Sequence, residues 1–302
     1  VFVLRAVLMM LYAFRLYFPV LNFSFPKDKT SILKYSALIL IAGSVAVVLL
    51  DLDKVMIEHY LPIENVAIYG IAIYIASVIG VPSRAMHQIT YPLTAILLNK
   101  RDKEGLKDLY QKSSINLLVI SGFIFLLIVA NIRQVYELIP EIYQLSFSIV
   151  ILISCAKLFD NILGNNNSIL FNSDYYRLVL VIGVALAILA FILNIIFIPA
   201  FGLFGAALAT FLAFALYNTS KIYIVIWKFK IHPFTRQSLY GLLCILIFTL
   251  GFYFWDFPFH PVINILLKSL VMGILYLTIV YKLKFSRDIN LLLEKVLKGL
   301  SS

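Results

Sequence analysis

Long apolar runs alternate with short polar connections along the whole chain, and the runs have the length a bilayer demands. A helix needs about 20 apolar residues to cross a hydrocarbon core of roughly 30 Å, and about nine segments approach or reach that length. They fall near 1–20, 33–51, 64–98, 114–131, 145–164, 177–199, 202–228, 238–256 and 262–282. The third is too long for one perpendicular crossing, since about 35 residues at 1.5 Å each would reach about 52 Å. Pro82 and Pro92 allow a kink or an interfacial extension there. Beyond the last span, the stretch 286–300 sets Ile289, Leu292, Leu293, Val296, Leu297 and Leu300 at helical spacing with Lys295 and Lys298 opposite. This predicts an amphipathic helix on the inner membrane surface. The fold class is therefore an all-α polytopic membrane protein.

Charge gives the spans an orientation, because cytoplasmic connections are enriched in Lys and Arg while acidic residues count for little. Lys27, Lys29 and Lys34 follow the first span. The next connection, DLDKVMIEHYLPIEN, holds only Lys54, and the one after is basic again with Lys100, Arg101, Lys103, Lys107 and Lys112. Arg133 stands alone in the following connection, Arg177 lies near the next, and the turn Pro199 to Gly202 has no charge. Lys228, Lys230 and Arg236 precede the eighth span, the turn Asp256 to Pro261 has neither Lys nor Arg, and the tail carries Lys282, Lys284, Arg287, Lys295 and Lys298. The alternation predicts a cytoplasmic C-terminus and an outward-facing Val1. Val1 also lies inside an apolar stretch that carries Arg5 and Arg15 and lacks the charged start and A-x-A end of a signal peptide. Both features predict a missing N-terminal part with an odd number of further spans.

Composition agrees: of 302 residues 62% are hydrophobic and 13% charged, too apolar for one soluble globule. The net charge of +10 is distributed as topology signals rather than gathered in a patch, so nucleic acid is excluded as a partner. Cys155 and Cys244 lie in apolar spans without metal-ligand spacing and read as packing residues. Trp227 and Trp255 sit near span ends, as aromatic belts require.

Ionisable side chains inside a span are costly, so they face a cavity or pair with each other. In SCAKLFDNILGNNN, Lys157 and Asp160 are three residues apart on one helix face with Asn161 adjacent, either a self-neutralising pair or part of a substrate or proton path. Gly164 and the run Asn165 to Asn167 are expected to interrupt that helix. In VPSRAMHQITYP, Arg84, His87, Gln88 and Tyr91 follow i, i+3, i+4, i+7 spacing. A polar stripe of this kind lines a wet cavity, where a guanidinium fork suits phosphate or carboxylate; alternatively the helix has left the hydrocarbon and lies at the inner interface. Lys221 and Lys268 lie within reach of span ends and are expected to snorkel. Asp51 and Asp53 form a D-x-D, a diphosphate-metal spacing in some glycosyltransferases, here expected to end the second span on the outer face. Gly202, Gly205, Ala206, Ala209 and Ala213 give a small-residue surface for close helix packing. No nucleotide-hydrolysis or hydrolase motif occurs, and His59, His232 and His260 form no metal constellation, so no catalytic residue, metal or cofactor is expected.

The segment NIIFIPAFGLFGAALATFLAFALYNTSKIYIVIWKF resembles the C-terminal region of polysaccharide-biosynthesis (O-antigen-type) flippases in the multidrug/oligosaccharidyl-lipid/polysaccharide (MOP) exporter superfamily. A second match lies at LLDLDKVMIEHYLPIENVAIYGIAIYIASV, where the family closes one helix with an aspartate and opens the next with a glutamate, aliphatics and an aromatic, here Glu64 to Tyr69. The resemblance implies a chain made of the last helix of one lobe (1–20), a six-helix lobe (33–228), two appended helices (238–282) and a cytoplasmic tail (286–300). It also implies a function and a place: moving an undecaprenyl-diphosphate-linked oligosaccharide from the inner to the outer leaflet of a bacterial cytoplasmic (inner) membrane by alternating access, with membrane lipids and polysaccharide polymerase machinery as partners. Arg84, His87, Gln88, Lys157, Asp160 and Asn161 are the candidate substrate-pathway residues. The rival readings are a MATE-like drug/cation antiporter, which would centre on Asp160, and a polyprenyl-dependent membrane glycosyltransferase or polymerase.

Overall fold

The computed structural model describes residues 2–17 and 28–300; Lys27 and the end of the first expected span lie outside them. The described residues form helices and turns without a strand. In chain order the helices are α1 (Phe2–Tyr17), α2 (Lys29–Tyr60), α3 (Glu64–Ser77), α4 (Val81–Asn99), α5 (Lys103–Glu137), α6 (Phe147–Ile162), α7 (Asn166–Phe171), α8 (Tyr176–Phe229), α9 (Arg236–Tyr253), α10 (Pro261–Leu283) and α11 (Arg287–Leu300). Among the described residues, five stretches are long and apolar enough to cross a membrane: Glu64–Asn99, Lys103–Glu137, Tyr176–Phe229, Arg236–Tyr253 and Pro261–Leu283. The protein is a polytopic all-α membrane protein, as its hydrophobic pattern predicts. Two compact units divide it, residues 1–43 and 44–302, with the boundary inside α2. The first holds α1 and the start of α2. The rest of this description concerns the second.

Local chemistry explains most of the helix ends. Asp102 caps α5, its Oδ1 accepting from Gly105 N at 2.9 Å. Thr235 and Ser238 form a reciprocal capping box at α9, and Pro261 opens α10 where its missing N–H is no loss. The long third span breaks at a 3-10 turn, Val78–Gly80, and Pro82 falls in the first turn of α4, so the break precedes the proline. Pro92 lies inside α4. The expected interruption after the fifth span is present: Gly164 has φ 56° and Asn165 starts a new short helix.

α8 is a hairpin of two helical arms. Gly202, at φ 57° and ψ −137°, occupies a conformation that only glycine adopts readily. The arms return along each other, so that Val179 packs with Ile224 and Val225, and Ala190 with Ala213. Gly205 is essential to the turn, because a Cβ there would meet Phe197 O at 1.9 Å.

α5 is the central post. α4, α6, α9 and α10 pack on it, and Tyr276 Oη of α10 donates to Val119 O at 3.0 Å. Polar side chains act as fasteners inside this lipid-facing bundle, where each unsatisfied group would be costly. Asn131 Nδ2 donates to Ser269 Oγ at 3.0 Å, and Ser114 Oγ donates to Ile162 O at 2.6 Å. Leucines and isoleucines such as Ile247 and Leu266 point outward, 66% and 65% exposed.

Hydrogen bonds show which connections share an end. Gln111 donates to His232 O at 3.4 Å, and Asn116 Nδ2 to Asp288 Oδ2 at 2.9 Å, so the basic α4–α5 turn, the α8–α9 link and the start of α11 gather at one end. At the opposite end Gln134 reaches Asp256 in the α9–α10 turn at 2.5 Å.

Candidate functional site

The second aspartate of the D-x-D does not end its helix. α2 continues to Tyr60, and Asp53 lies 4% exposed inside the bundle. It accepts from Tyr69 Oη of α3 at 2.8 Å, from Asn194 Nδ2 of the first α8 arm at 3.0 Å, and from Thr210 Oγ1 of the second. All three donors are neutral. Asn194 Oδ1 is buried beside them with no partner. A carboxylate so placed is held by hydrogen bonds from neutral donors at the cost of its hydration, and a small cation or a proton would offset that cost. The unpartnered amide oxygen suits the same need. The adjoining cavity, about 40 Å³ and bordered by Asp53, Tyr69, Lys157, Thr210 and Phe214, settles the scale. It has room for a few waters or an ion, at roughly 10–15 Å³ per probe-sized guest, and none for a sugar or a drug.

Lys157 and Asp160 are not partners. Lys157 borders the Asp53 cavity with its ammonium 5.4 Å from the Phe214 ring centre, and it makes no ion pair among the described residues. Asp160 instead accepts from Lys221 Nζ at 3.3 Å. Lys221 does not snorkel: it is 2% exposed, donates also to Asn167 Oδ1 at 3.1 Å, and lies 4.5 Å from the Tyr217 ring centre. Lys268 fails the same expectation, being 1% exposed and 2.9 Å from Asp256 Oδ1. Each lysine meets a carboxylate, Lys221 that of Asp160 on another helix and Lys268 that of Asp256 in the α9–α10 turn, which a sequence of apolar spans does not reveal.

The polar stripe of α4 joins this cluster. His87 is half-buried within electrostatic reach of Asp160 and Lys221. Arg84 and Gln88 are exposed, and Arg84 has no ion pair or side-chain hydrogen bond among the described residues. The depth of Arg84 follows from two cross-links. Asn161 Nδ2 ties Ile79 O (2.5 Å) to Ser121 Oγ (2.8 Å), and Asn165 ties Thr94 Oγ1 (2.9 Å) to Ser113 Oγ (3.1 Å). Arg84 therefore stands between the levels of Ser121 and Ser113 on α5. Asn161 itself is buried with both Nδ2 hydrogens engaged by these bonds, and it holds the 3-10 break in register rather than lining an open path.

Thr210, Phe214, Tyr217 and Lys221 lie at i, i+4, i+7, i+11 on one face of the second α8 arm, about 16 Å of helix. That face connects the Asp53 cavity to the Asp160–Lys221 pair and the α4 stripe. The sequence reading missed Tyr69, Asn194, Thr210 and Lys221 as members. Asn194 was detectable as the lone amide in AFILNIIFIP.

No protein-family model and no curated protein matches the chain. Among solved structures, an outward-facing conformation of a multidrug resistance MATE family transporter of the MOP superfamily matches at a TM-score of 0.55 with 20% identity. At that identity the likeness is one of fold: the two chains share a helical architecture. The match covers 73% of this chain and 52% of that one, so the chain spans about half the length of that transporter.

Proposed function

We propose that the chain is the second lobe, with the appended helices α9 and α10, of a flippase that moves an undecaprenyl-diphosphate-linked oligosaccharide across the cytoplasmic membrane. It is a transporter rather than an enzyme, with the basic end in the cytoplasm. One observation carries this reading over that of a drug/cation antiporter: the free charge on the polar face is positive. Arg84 is exposed and unpaired, whereas Asp160 is already neutralised by Lys221 at 3.3 Å and Asp53 is buried beside an ion-sized cavity. A cationic drug would need an available carboxylate; a diphosphate needs an available guanidinium.

In this reading Asp53 couples transport to a proton or a monovalent cation. Loading the site removes a buried charge and biases the packing of α2 and α3 against both arms of α8, while the anionic substrate is held on the α4 stripe. Membrane lipids and the polysaccharide polymerase machinery are the partners. The antiporter reading keeps one support of its own, the MATE family neighbour, whose likeness at 20% identity concerns fold.

Inactivating the gene in its host separates the two. The flippase reading expects loss of surface polysaccharide with lipid-linked repeat units accumulating on the inner leaflet, and unchanged retention of cationic dyes. Normal surface polysaccharide with increased dye retention would overturn it in favour of the antiporter.

A further inference from the structure

The α4–α5 turn and the end of α8 border a second, open cavity of about 360 Å³, within the size range of ligand pockets. Arg101 and Lys103 border it from one segment, Lys228 and Lys230 from the other, over a floor that includes Leu106 and Phe229. Asp102 is the acidic group on its wall, and that carboxylate is engaged as the cap of α5. None of the four cations has an ion pair among the described residues. Lys228 is instead set above the Trp227 ring at 3.4 Å, with the Tyr175 ring at 5.2 Å. A concave surface with four cations against one carboxylate over apolar walls focuses a net positive field outward, and the repulsion among its cations falls when an anion enters.

Backbone conformation gives an independent observation. Arg101 and Lys230 sit at φ 55° and 54°, the left-handed region where glycine is favoured. At the end of α4 the bonds Asp102 N to Leu97 O and Arg101 N to Leu98 O, both 3.0 Å, form the closing motif that ordinarily takes glycine at the Arg101 position. Both helices thus end in a basic side chain directed to one cavity, at a conformational cost that glycine would avoid.

We propose that this cavity binds a phosphate-bearing anion, either the headgroup of an anionic phospholipid or a water-soluble phosphoester. Guanidinium and ammonium groups together supply the forked and point-charge contacts that phosphate oxygens accept, and Leu106 and Phe229 receive the organic part. Basic pockets between membrane helices bind lipid headgroups by the same chemistry. The site is distinct from the α4 stripe, because Arg84 lies about 22 Å up the helix from Asn99.

The left-handed positions make a clean test, since Arg101→Gly and Lys230→Gly remove charge while relieving the backbone. Purified whole protein would be placed in nanodiscs of phosphatidylcholine alone or with phosphatidylglycerol, and separately titrated with inorganic diphosphate in detergent. Melting temperature and retained phospholipid phosphorus are the readouts. The wild type is expected to respond to at least one probe, with affinity reduced at least tenfold in Arg101→Gly/Lys230→Gly and in Lys103→Gln/Lys228→Gln, and retained in Lys282→Gln, an exposed cation outside the cavity. A response to phosphatidylglycerol alone identifies a headgroup site, and a response to diphosphate alone identifies a soluble phosphoester. Absence of both responses in the wild type, or unchanged binding in the two double variants, would overturn the proposal.

Discussion

Lys221 donates to Asp160 across 3.3 Å, and the two partners are unequally buried, 2% and 38% exposed. The asymmetry sets the order of their mutational costs. Removing Asp160 strands an ammonium in the bundle, which approaches the 3–5 kcal/mol typical of a broken buried pair. Removing Lys221 leaves a partly solvated carboxylate and costs on the order of 1 kcal/mol. Asp160→Ala should therefore lower the melting temperature of the purified protein more than Lys221→Met, and the double variant should resemble Lys221→Met. Lys157→Met combined with Asp160→Ala should be additive, because those residues are not paired. A larger coupling for Lys157 than for Lys221 would contradict the observed pairing.

Asp53 is expected to matter for transport more than for folding. Asp53→Asn keeps the shape and removes a desolvated charge, so membrane insertion and melting temperature should be maintained or improved. Transport should fall by at least tenfold, and its dependence on the proton or cation gradient should vanish. Thr210→Val and Tyr69→Phe, each deleting one donor to the carboxylate, should give intermediate losses. Gradient-dependent transport at the normal rate in Asp53→Asn would reduce the cluster to a helix fastener.

The α8 turn separates backbone strain from steric conflict. At Gly202 nothing lies near an added Cβ, so Gly202→Ala carries only the cost of its φ of 57°, about 1–3 kcal/mol. At Gly205 the Cβ would fall 1.9 Å from Phe197 O, and that carbonyl is backbone rather than a yielding side chain. Gly205→Ala should thus be the more damaging, with low membrane levels or early thermal unfolding. Equal stability of the two variants would mean that the arms part more easily than their contact implies.

The spans were legible because lipid imposes both a length and a composition on them, and α9, α10 and the arms of α8 fall within a few residues of the pattern's limits. Polar pairing was not legible. Asp53 meets Asn194 and Thr210 from 141 and 157 residues away, and Lys221 meets Asp160 from 61. Lys157, three residues before Asp160, offered a local partner that helical spacing makes visible, and the real partner lay on another helix. The D-x-D misled for a related reason: an aspartate in an apolar run looks like a helix end unless its three donors are known.

The last prediction concerns the exposed guanidinium on α4. Under the proposed function a lipid-linked sugar carries a diphosphate through a low-dielectric passage, and Arg84 stands unpaired on a span with Gln88 exposed and His87 half-buried along the same stripe. Charge-assisted, forked hydrogen bonds from arginine would stabilise that anion, and a lysine ammonium would reproduce the charge without the fork. Arg84→Ala in the whole protein should abolish surface glycan while the protein remains inserted, and Arg84→Lys should fall between. Because Arg84 makes no ion pair or side-chain hydrogen bond within the described bundle, neither change should shift the melting temperature appreciably. Full glycan export from well-inserted Arg84→Ala would instead identify Arg84 as an interfacial anchor, and would leave the substrate's anion to be held elsewhere on the polar face.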